Sequence, residues 1–142
     1  MSTEPAAAQT LTVPLRRMDD IVPSEDACDI GLIKLDLEGG EFDALQGARG
    51  LLSASRPVVI FENGLRTSAA TYGYNWADFA SFFDAAGYDV HDFFGNAVNE
   101  AYWSATLQTY MFVALPREEA LAEWRLTVLS RLVSEAARRL GA

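Results

Sequence analysis

The sequence predicts an α/β protein with a mostly parallel sheet. Two short apolar runs, residues 30–37 and 58–61, are typical of strands that are buried on both faces. A segment with helical spacing of apolar residues follows each run, at residues 41–52 and Trp76–Ala86. Because strands alternate with helices, we expect parallel pairing with helices on the faces of the sheet.

The composition limits the size and the class of the protein. A chain of 142 residues allows one domain, and 50% apolar with 22% charged residues is typical of a soluble globular protein. The formal net charge of −9 repels phosphate groups, so we expect neither nucleic acid nor a membrane surface as a partner. No apolar run of about 18 residues predicts a membrane-spanning helix, and the N-terminus does not resemble a secretory signal.

The single cysteine, Cys28, cannot form an internal disulfide, which is compatible with the cytoplasm, the location that we predict. The chain has one histidine and one cysteine, too few to form a zinc site of histidine and cysteine ligands by itself. We predict no metal. Acids surround Cys28 in the sequence, which disfavours a reactive thiolate.

The elements are predicted in the following order. Residues 1–12 are small and polar and predict a disordered tail, and residues 10–16, with Pro14, predict a short or edge strand. The strand at 30–37 ends in the turn Glu38-Gly39-Gly40, which leads into the helix at 41–52. The strand at 58–61 ends in the turn Glu62-Asn63-Gly64, and residues 65–74 predict a loop of the kind found at active sites.

The second half continues with the helix Trp76–Ala86, for which Asn75 is the expected N-cap and Gly87 the stop. A strand at Tyr88–Asp92, a long loop at 93–106 and a strand at 108–115 follow. Two consecutive strands at this point imply one antiparallel member. One long helix is predicted at 117–140, so we divide the chain into a tail (1–12), a domain (13–116) and a C-terminal helix (117–142) that packs on the domain or on a partner.

Carboxylates gather where the two apolar strands end. Asp36 and Glu38 lie two residues apart at the end of the first strand, and Glu62 ends the second. Ligands of open α/β sheets bind at this edge, so we predict that these three acids are catalytic residues. They can deprotonate a hydroxyl, bind a hard divalent cation or orient a sugar-like acceptor. The alternative is structural: Glu38 and Glu41 stabilise the helix start, and Asp36 accepts hydrogen bonds from turn amides.

Other candidates have weaker support. His91 is either a general base or an ordinary surface residue, and we favour the second because its strand is expected at the edge of the sheet. Aromatic residues of the two long loops either line an apolar acceptor pocket or cover the sheet. These aromatic residues are Tyr72, Tyr74, Trp76, Phe93, Phe94, Tyr102 and Trp103.

Three motifs in this order resemble the FkbM-type S-adenosylmethionine-dependent methyltransferases. They are IKLDLEGGE at 33–41, LQGA at 45–48 and RPVVIFEN at 56–63. The segment at 13–20 also resembles the family, so that the resemblance runs from Val13 to Leu115.

The resemblance implies a class I methyltransferase fold, with strand order 3-2-1-4-5-7-6 and strand 7 antiparallel. The predicted strands at 30–37, 58–61, Tyr88–Asp92 and 108–115 then correspond to strands 4, 5, 6 and 7 of that fold. The implied activity is O-methylation of varied acceptors, including polyketides and sugars, with S-adenosylmethionine as cofactor. We expect Asp36 to contact the cofactor. The residues expected to contact a small-molecule or carbohydrate acceptor are Asn63, Tyr72, Tyr74 and Trp103.

The sequence departs from the family in its first half. No glycine-rich G-x-G-x-G turn occurs, and nothing before Val13 matches strands 1 to 3, so the resemblance covers the C-terminal half of the fold. Two hypotheses follow: a methyltransferase that supplies the acceptor side of the site, or a catalytically silent, truncated remnant that acts as a binding or oligomerisation module. The second implies that the exposed edge of the first strand pairs with another copy or with a missing N-terminal half. A metal-dependent hydrolase is disfavoured, because no histidine is expected near the three acids.

Overall fold

The computed structural model describes residues 11–106 and 109–118, together with residues 130, 131, 134, 138 and 139. Four strands form one open mixed sheet, in the order β1-β2-β4-β3. β1 and β2 are parallel, whereas β4 is antiparallel to both of its neighbours, β2 and β3. The α/β class predicted from the sequence is confirmed, but the predicted mostly parallel pairing is wrong, because only one of the three strand pairings in the described sheet is parallel. The strands are β1 (Leu32–Leu35), β2 (Val58–Glu62), β3 (Tyr88–Asp92) and β4 (Met111–Pro116).

Short helices connect these strands. The longest in the described ranges is α5, where Asn75 accepts hydrogen bonds from the N–H groups of Ala77 and Asp78, and Gly87 ends the helix in a left-handed conformation. Both ends of α5 lie where the sequence predicts them. The helices are α1 (Met18–Ile21), a 3₁₀ helix (Ala27–Asp29), α2 (Glu41–Gln46), α3 (Arg49–Ser55), α4 (Arg66–Tyr72), α5 (Trp76–Ala86) and α6 (Glu100–Ser104).

The main core lies between one face of the sheet and the helices. Alternate strand residues such as Leu35, Phe61 and Phe112 contribute to this face, as the period of two requires. Phe42 of α2 and Phe79 of α5 pack there with their ring centroids 5.6 Å apart. A smaller cluster on the opposite face contains the buried residues Val58, Val113 and Leu115.

The predicted helix at 41–52 is wrong, because the chain forms two helices here, α2 and α3. Asp19 explains the break, since its carboxylate oxygens accept hydrogen bonds from the N–H groups of Gly50 and Leu51 at 3.0 Å. Its own N–H donates to the carbonyl of Gly47 at 3.0 Å. α3 therefore has a separate N-terminal partner from a distant part of the sequence, which helical periodicity does not reveal.

Three further predictions are corrected. Residues 11–16 form no strand. The first strand is shorter than predicted and is buried on one face only, since Leu32 is 58% exposed and Lys34 is also exposed. Ile33 and Leu35 face the main core, whereas Leu32 and Lys34 lie on the opposite face and do not belong to the smaller cluster there. The predicted loops at 65–74 and 93–106 contain helices α4 and α6.

The predicted tail at 1–10 and most of the predicted C-terminal helix at 117–140 lie outside the described residues. Among the helices that the structure describes, none has the length and apolar character needed to cross a bilayer.

Candidate functional site

Asp36 and Glu62 lie side by side at the carboxyl edge of the sheet. Leu35 pairs with Phe61 in the parallel register. The residues that follow them in the chain, Asp36 and Glu62, are therefore neighbours across the two strands. The Lys34 Nζ atom donates a hydrogen bond to Asp36 Oδ2 over 2.8 Å, and both side chains are more than half exposed. The structure thus brings together two of the three predicted catalytic acids.

Lys34 stabilises the ionised form of Asp36. The hydrogen bond and the positive charge of Lys34 lower the pKa of Asp36. Burial opposes this shift, and a hydrogen bond with the Glu62 side chain is the smallest of the effects that lower the pKa. Asp36 therefore remains ionised at neutral pH. Two carboxylates this close attract cations and hydrogen-bond donors.

The turn between β1 and α2 holds the third acid. Glu38 is exposed and has a φ of 53°, which is uncommon for a residue with a side chain. The buried Glu41 carboxylate accepts hydrogen bonds from the backbone N–H groups on either side of Glu38, through Oε1: that of Leu37 at 2.6 Å and that of Gly39 at 3.2 Å. The alternative in which Asp36 binds the turn amides is wrong, because Glu41 binds them. Glu41 does not cap α2 through these bonds, because Leu37 and Gly39 precede the helix, and the N-cap residue Gly40 has no side chain.

The second turn, after β2, is built around Asn63, which is 1% exposed. Asn63 Oδ1 accepts the N–H of Leu65 at 2.6 Å, and Asn63 Nδ2 donates to the Tyr74 hydroxyl oxygen at 3.0 Å. Leu65 has a φ of 48°, so this turn, like the first, holds a residue with a side chain at positive φ. Burial raises the pKa of Tyr74, and the hydrogen bond with Asn63 partly opposes that effect.

Tyr72 of α4 packs on the first turn. Its ring lies against Gly39, where a Cβ atom would be only 2.8 Å from Tyr72 Cε2, and its hydroxyl is 3.5 Å from the Glu38 carbonyl oxygen. Tyr72 and Tyr74 also border a cleft of about 550 Å³ between α2 and α5. The polar residues of this cleft include Asp43, Gln46, Arg49 and Asp78. Asn63, Tyr72 and Tyr74 thus lie at or next to the carboxyl edge, and their role towards an acceptor stays a prediction.

Trp103 lies in the core. It is 7% exposed, and its ring centroid is 5.3 Å from that of Phe79 and 6.2 Å from that of Tyr74. Its role towards an acceptor stays a prediction. His91 lies on β3, which β4 separates from β2, and it borders a different cleft, of about 560 Å³, at that end of the sheet.

The loop after β3 is organised by Asp92, which is completely buried. Its carboxylate accepts hydrogen bonds from the N–H groups of Phe94 and Asn96 and from the Tyr102 hydroxyl, at 2.8–2.9 Å. The Asn96 side chain donates a fourth, at 2.8 Å. The aromatic residues of this loop are therefore placed by a polar network. Within the described part of the chain, no group of three or more His, Cys, Asp or Glu residues is arranged to hold a metal ion.

A family model described as the methyltransferase FkbM domain matches residues 2–90 of the chain, which is more than half of its length. The chain belongs to the FkbM methyltransferase family. The match begins and ends earlier than the resemblance seen in the sequence, which runs from Val13 to Leu115. Both turns of the candidate site lie within it. Neither the curated proteins nor the solved structures contain a significant match to the chain.

Sequence reasoning missed two residues of this FkbM site, Glu41 and Ser68. Ser68 Oγ accepts the N–H of Gly64 at 2.9 Å, and the side chain is buried. Nothing in the sequence indicates this role, since the sequence predicts a loop where α4 lies. For Glu41 there is a signal: an acid that follows two glycines can fold back onto the amides of the turn.

Proposed function

We propose that this FkbM protein forms the acceptor side of an S-adenosylmethionine-dependent O-methyltransferase that acts on a hydroxyl of a small molecule or a sugar. The observation that carries the proposal is the Asp36–Glu62 carboxylate pair at the carboxyl ends of two parallel strands. The order β1-β2-β4-β3, with β4 antiparallel, supports an equivalence with strands 4-5-7-6 of a class I methyltransferase.

The two acids have different tasks in this proposal. Methyl transfer forms a bond between the acceptor oxygen and the methyl carbon, breaks the bond between that carbon and sulfur, and releases the hydroxyl proton. Asp36, whose pKa Lys34 lowers, is a weak base and is better suited to hold a hydrogen-bond donor or a cationic group of the cofactor. We assign acceptance of the proton to Glu62, which lies beside it. The reaction then depends on alignment as much as on proton transfer.

The residues of this edge fit part of the cofactor. S-adenosylmethionine supplies an electrophilic methyl group when bound, and it carries a positively charged sulfonium, an ammonium group and ribose hydroxyls. The exposed carboxylates of Asp36 and Glu38 are suitable acceptors for such groups. Gly39 does not provide space for a ligand, because the Tyr72 ring fills the position that a Cβ atom would take. Asp36 and Glu38 are therefore the residues that we expect to hold the cofactor.

Calorimetric titration with S-adenosylhomocysteine tests this proposal. We expect saturable binding with micromolar affinity, and a loss of about tenfold in the Asp36→Asn variant, because a hydrogen bond to a charged group is removed. Asp20→Asn is the matched control, since Asp20 is an exposed acid of α1, away from the sheet edge. The absence of binding at millimolar ligand, or an equal loss in both variants, would contradict the proposal.

A second candidate, a non-enzymatic interaction module, is favoured by the state of β1. This strand lies at the edge of the described sheet, and Leu32 and Leu37 are 58% and 49% exposed. Exposed strand edges with apolar side chains recruit other strands, so a second copy of the chain is the expected partner. Light scattering after size exclusion tests this: we expect a dimer that Leu32→Lys dissociates, and a monomer at high concentration would exclude it.

A further inference from the structure

Glu41 is a completely buried carboxylate in the first turn of a six-residue helix. One of its oxygens, Oε2, is buried and has no hydrogen-bond partner within the described part of the chain. Burial of an unpaired oxygen costs stability. A Ser, Thr or Asp at position 40 would stabilise the start of α2 at lower cost, so helix stability does not account for Glu41.

The other oxygen, Oε1, holds two peptide groups. It accepts the N–H of Leu37, which belongs to the peptide plane that follows Asp36, and the N–H of Gly39, which belongs to the plane that follows Glu38. A peptide group is planar, so fixing its N–H direction fixes the ψ angle of the preceding residue. One carboxylate oxygen therefore sets the backbone direction at two of the three predicted catalytic acids.

We propose that Glu41 is a positioning residue: the strand register places Asp36 next to Glu62, and Glu41 fixes the turn that follows and so keeps the Asp36 side chain in that position. A role of Glu41 in methyl transfer rests on the proposed function. The effect of Glu41 on the geometry of the turn is independent of that function. Glu38 has a φ of 53°, and a conformation of this kind persists only where surrounding contacts impose it. The two hydrogen bonds to Glu41 are such contacts, and they act together with the bond from the Gly40 N–H to the Leu37 carbonyl oxygen.

Amide hydrogen exchange in the Glu41→Ala variant tests the proposal directly. We expect the amides of Leu37 and Gly39 to exchange about tenfold faster or more, which is the size expected for the loss of a hydrogen bond to a charged acceptor. Amides of the core strands should be unaffected. The matched control is Asp43→Ala, which removes the other acid of the first turn of α2 and leaves Glu41 in place.

The carboxyl titration of Asp36, followed by NMR, provides a second measurement that a purely structural role would not change. Lys34 and Glu62 face Asp36 and keep its pKa low. If Glu41 holds this arrangement, the pKa of Asp36 rises towards its ordinary value in Glu41→Ala. In Glu41→Gln it stays low, because an amide oxygen can accept both hydrogen bonds. The Gln variant thus serves as the conservative rescue.

The outcomes are distinct. Unchanged exchange at Leu37 and Gly39, or equal effects of Glu41→Ala and Asp43→Ala, would overturn the proposal. If Glu41→Ala does not fold, Glu41→Gln decides: weaker protection confined to the two amides supports the proposal, and a uniform change along the chain contradicts it. These measurements need no cofactor, so their failure would leave the proposed function standing. Likewise, a failure to bind S-adenosylhomocysteine would leave this inference standing.

Discussion

Gly39 shows how single residues shape the turn at the candidate site. Its φ is +106°, a value that residues with a Cβ atom rarely adopt, and the Tyr72 ring occupies the space beside it. Two independent constraints therefore require glycine here. The sequence indicates a turn at this position but not the aromatic contact, because Tyr72 belongs to a helix where the sequence predicts a loop.

We expect Gly39→Ala to lower the free energy of unfolding by about 1–3 kcal/mol, because the new methyl group must displace the Tyr72 ring and the backbone conformation is strained. Urea denaturation measures this change. Gly31→Ala is the control, since a Cβ atom added at Gly31 would have no neighbouring atom within 4 Å. That substitution should change stability by less than about 0.5 kcal/mol. Equal losses in both variants would show that the contact with Tyr72 is unimportant.

At the scale of elements, Arg56 joins the ends of two helices. Its guanidinium group donates to the carbonyl oxygens of Ala86 at 2.5 Å and Gly87 at 2.9 Å, where α5 ends, and to that of Leu52 in α3 at 3.4 Å. The same group lies 4.6 Å from the centre of the Tyr88 ring. Cations are favourable at the C-terminal ends of helices, where carbonyl groups lack partners.

Arg56→Lys should therefore destabilise the protein by about 1–3 kcal/mol, although the charge is kept, because an ammonium group cannot reach these carbonyl groups and stack on the ring together. Thermal denaturation provides the measurement. Arg49→Lys is the matched control: Arg49 also lies 4.6 Å from an aromatic ring, that of Phe82, but it is exposed. Its effect should stay below about 1 kcal/mol. Equal losses in the two variants would show that the ring contact, and not the bonds to the carbonyl groups, accounts for the effect.

The elements also show what a sequence can predict. The bounds of α5 agree with the prediction to the residue, because its cap, its stop and its apolar stripe are all local. The division between α2 and α3 is not predictable in this way, because Asp19 reaches the start of α3 from a distant part of the chain. At the site, the pairing of Asp36 with Glu62 follows from parallel strand ends. The role of Glu41 depends on how the turn folds back, which residue spacing does not specify.

For the whole molecule, the buried tyrosines make stability depend on alkaline pH. Burial raises the pKa of Tyr88 from 10.0 to about 12, although the charge of Arg56 opposes this. Burial and the hydrogen bond to Asp92 raise the pKa of Tyr102, and burial raises that of Tyr74. The pKa of each hydroxyl is therefore higher in the folded chain than in the unfolded chain. The stability that these protonated tyrosines contribute is complete below pH 10 and is lost as the pH rises through their pKa values in the folded state.

We expect the urea concentration at the midpoint of unfolding to decrease as the pH is raised from 10 to about 12. Ultraviolet spectra should show that these tyrosines ionise together with unfolding. Tyr88→Phe removes one titrating group but also the hydrogen bond from its hydroxyl to the Pro57 carbonyl oxygen, 3.0 Å away. The variant should accordingly be less stable at neutral pH and lose less stability on going to alkaline pH. A slope with pH equal to that of the unmodified chain would contradict the assignment to Tyr88. In that case Tyr102, held by Asp92, is the group to replace next, by Tyr102→Phe.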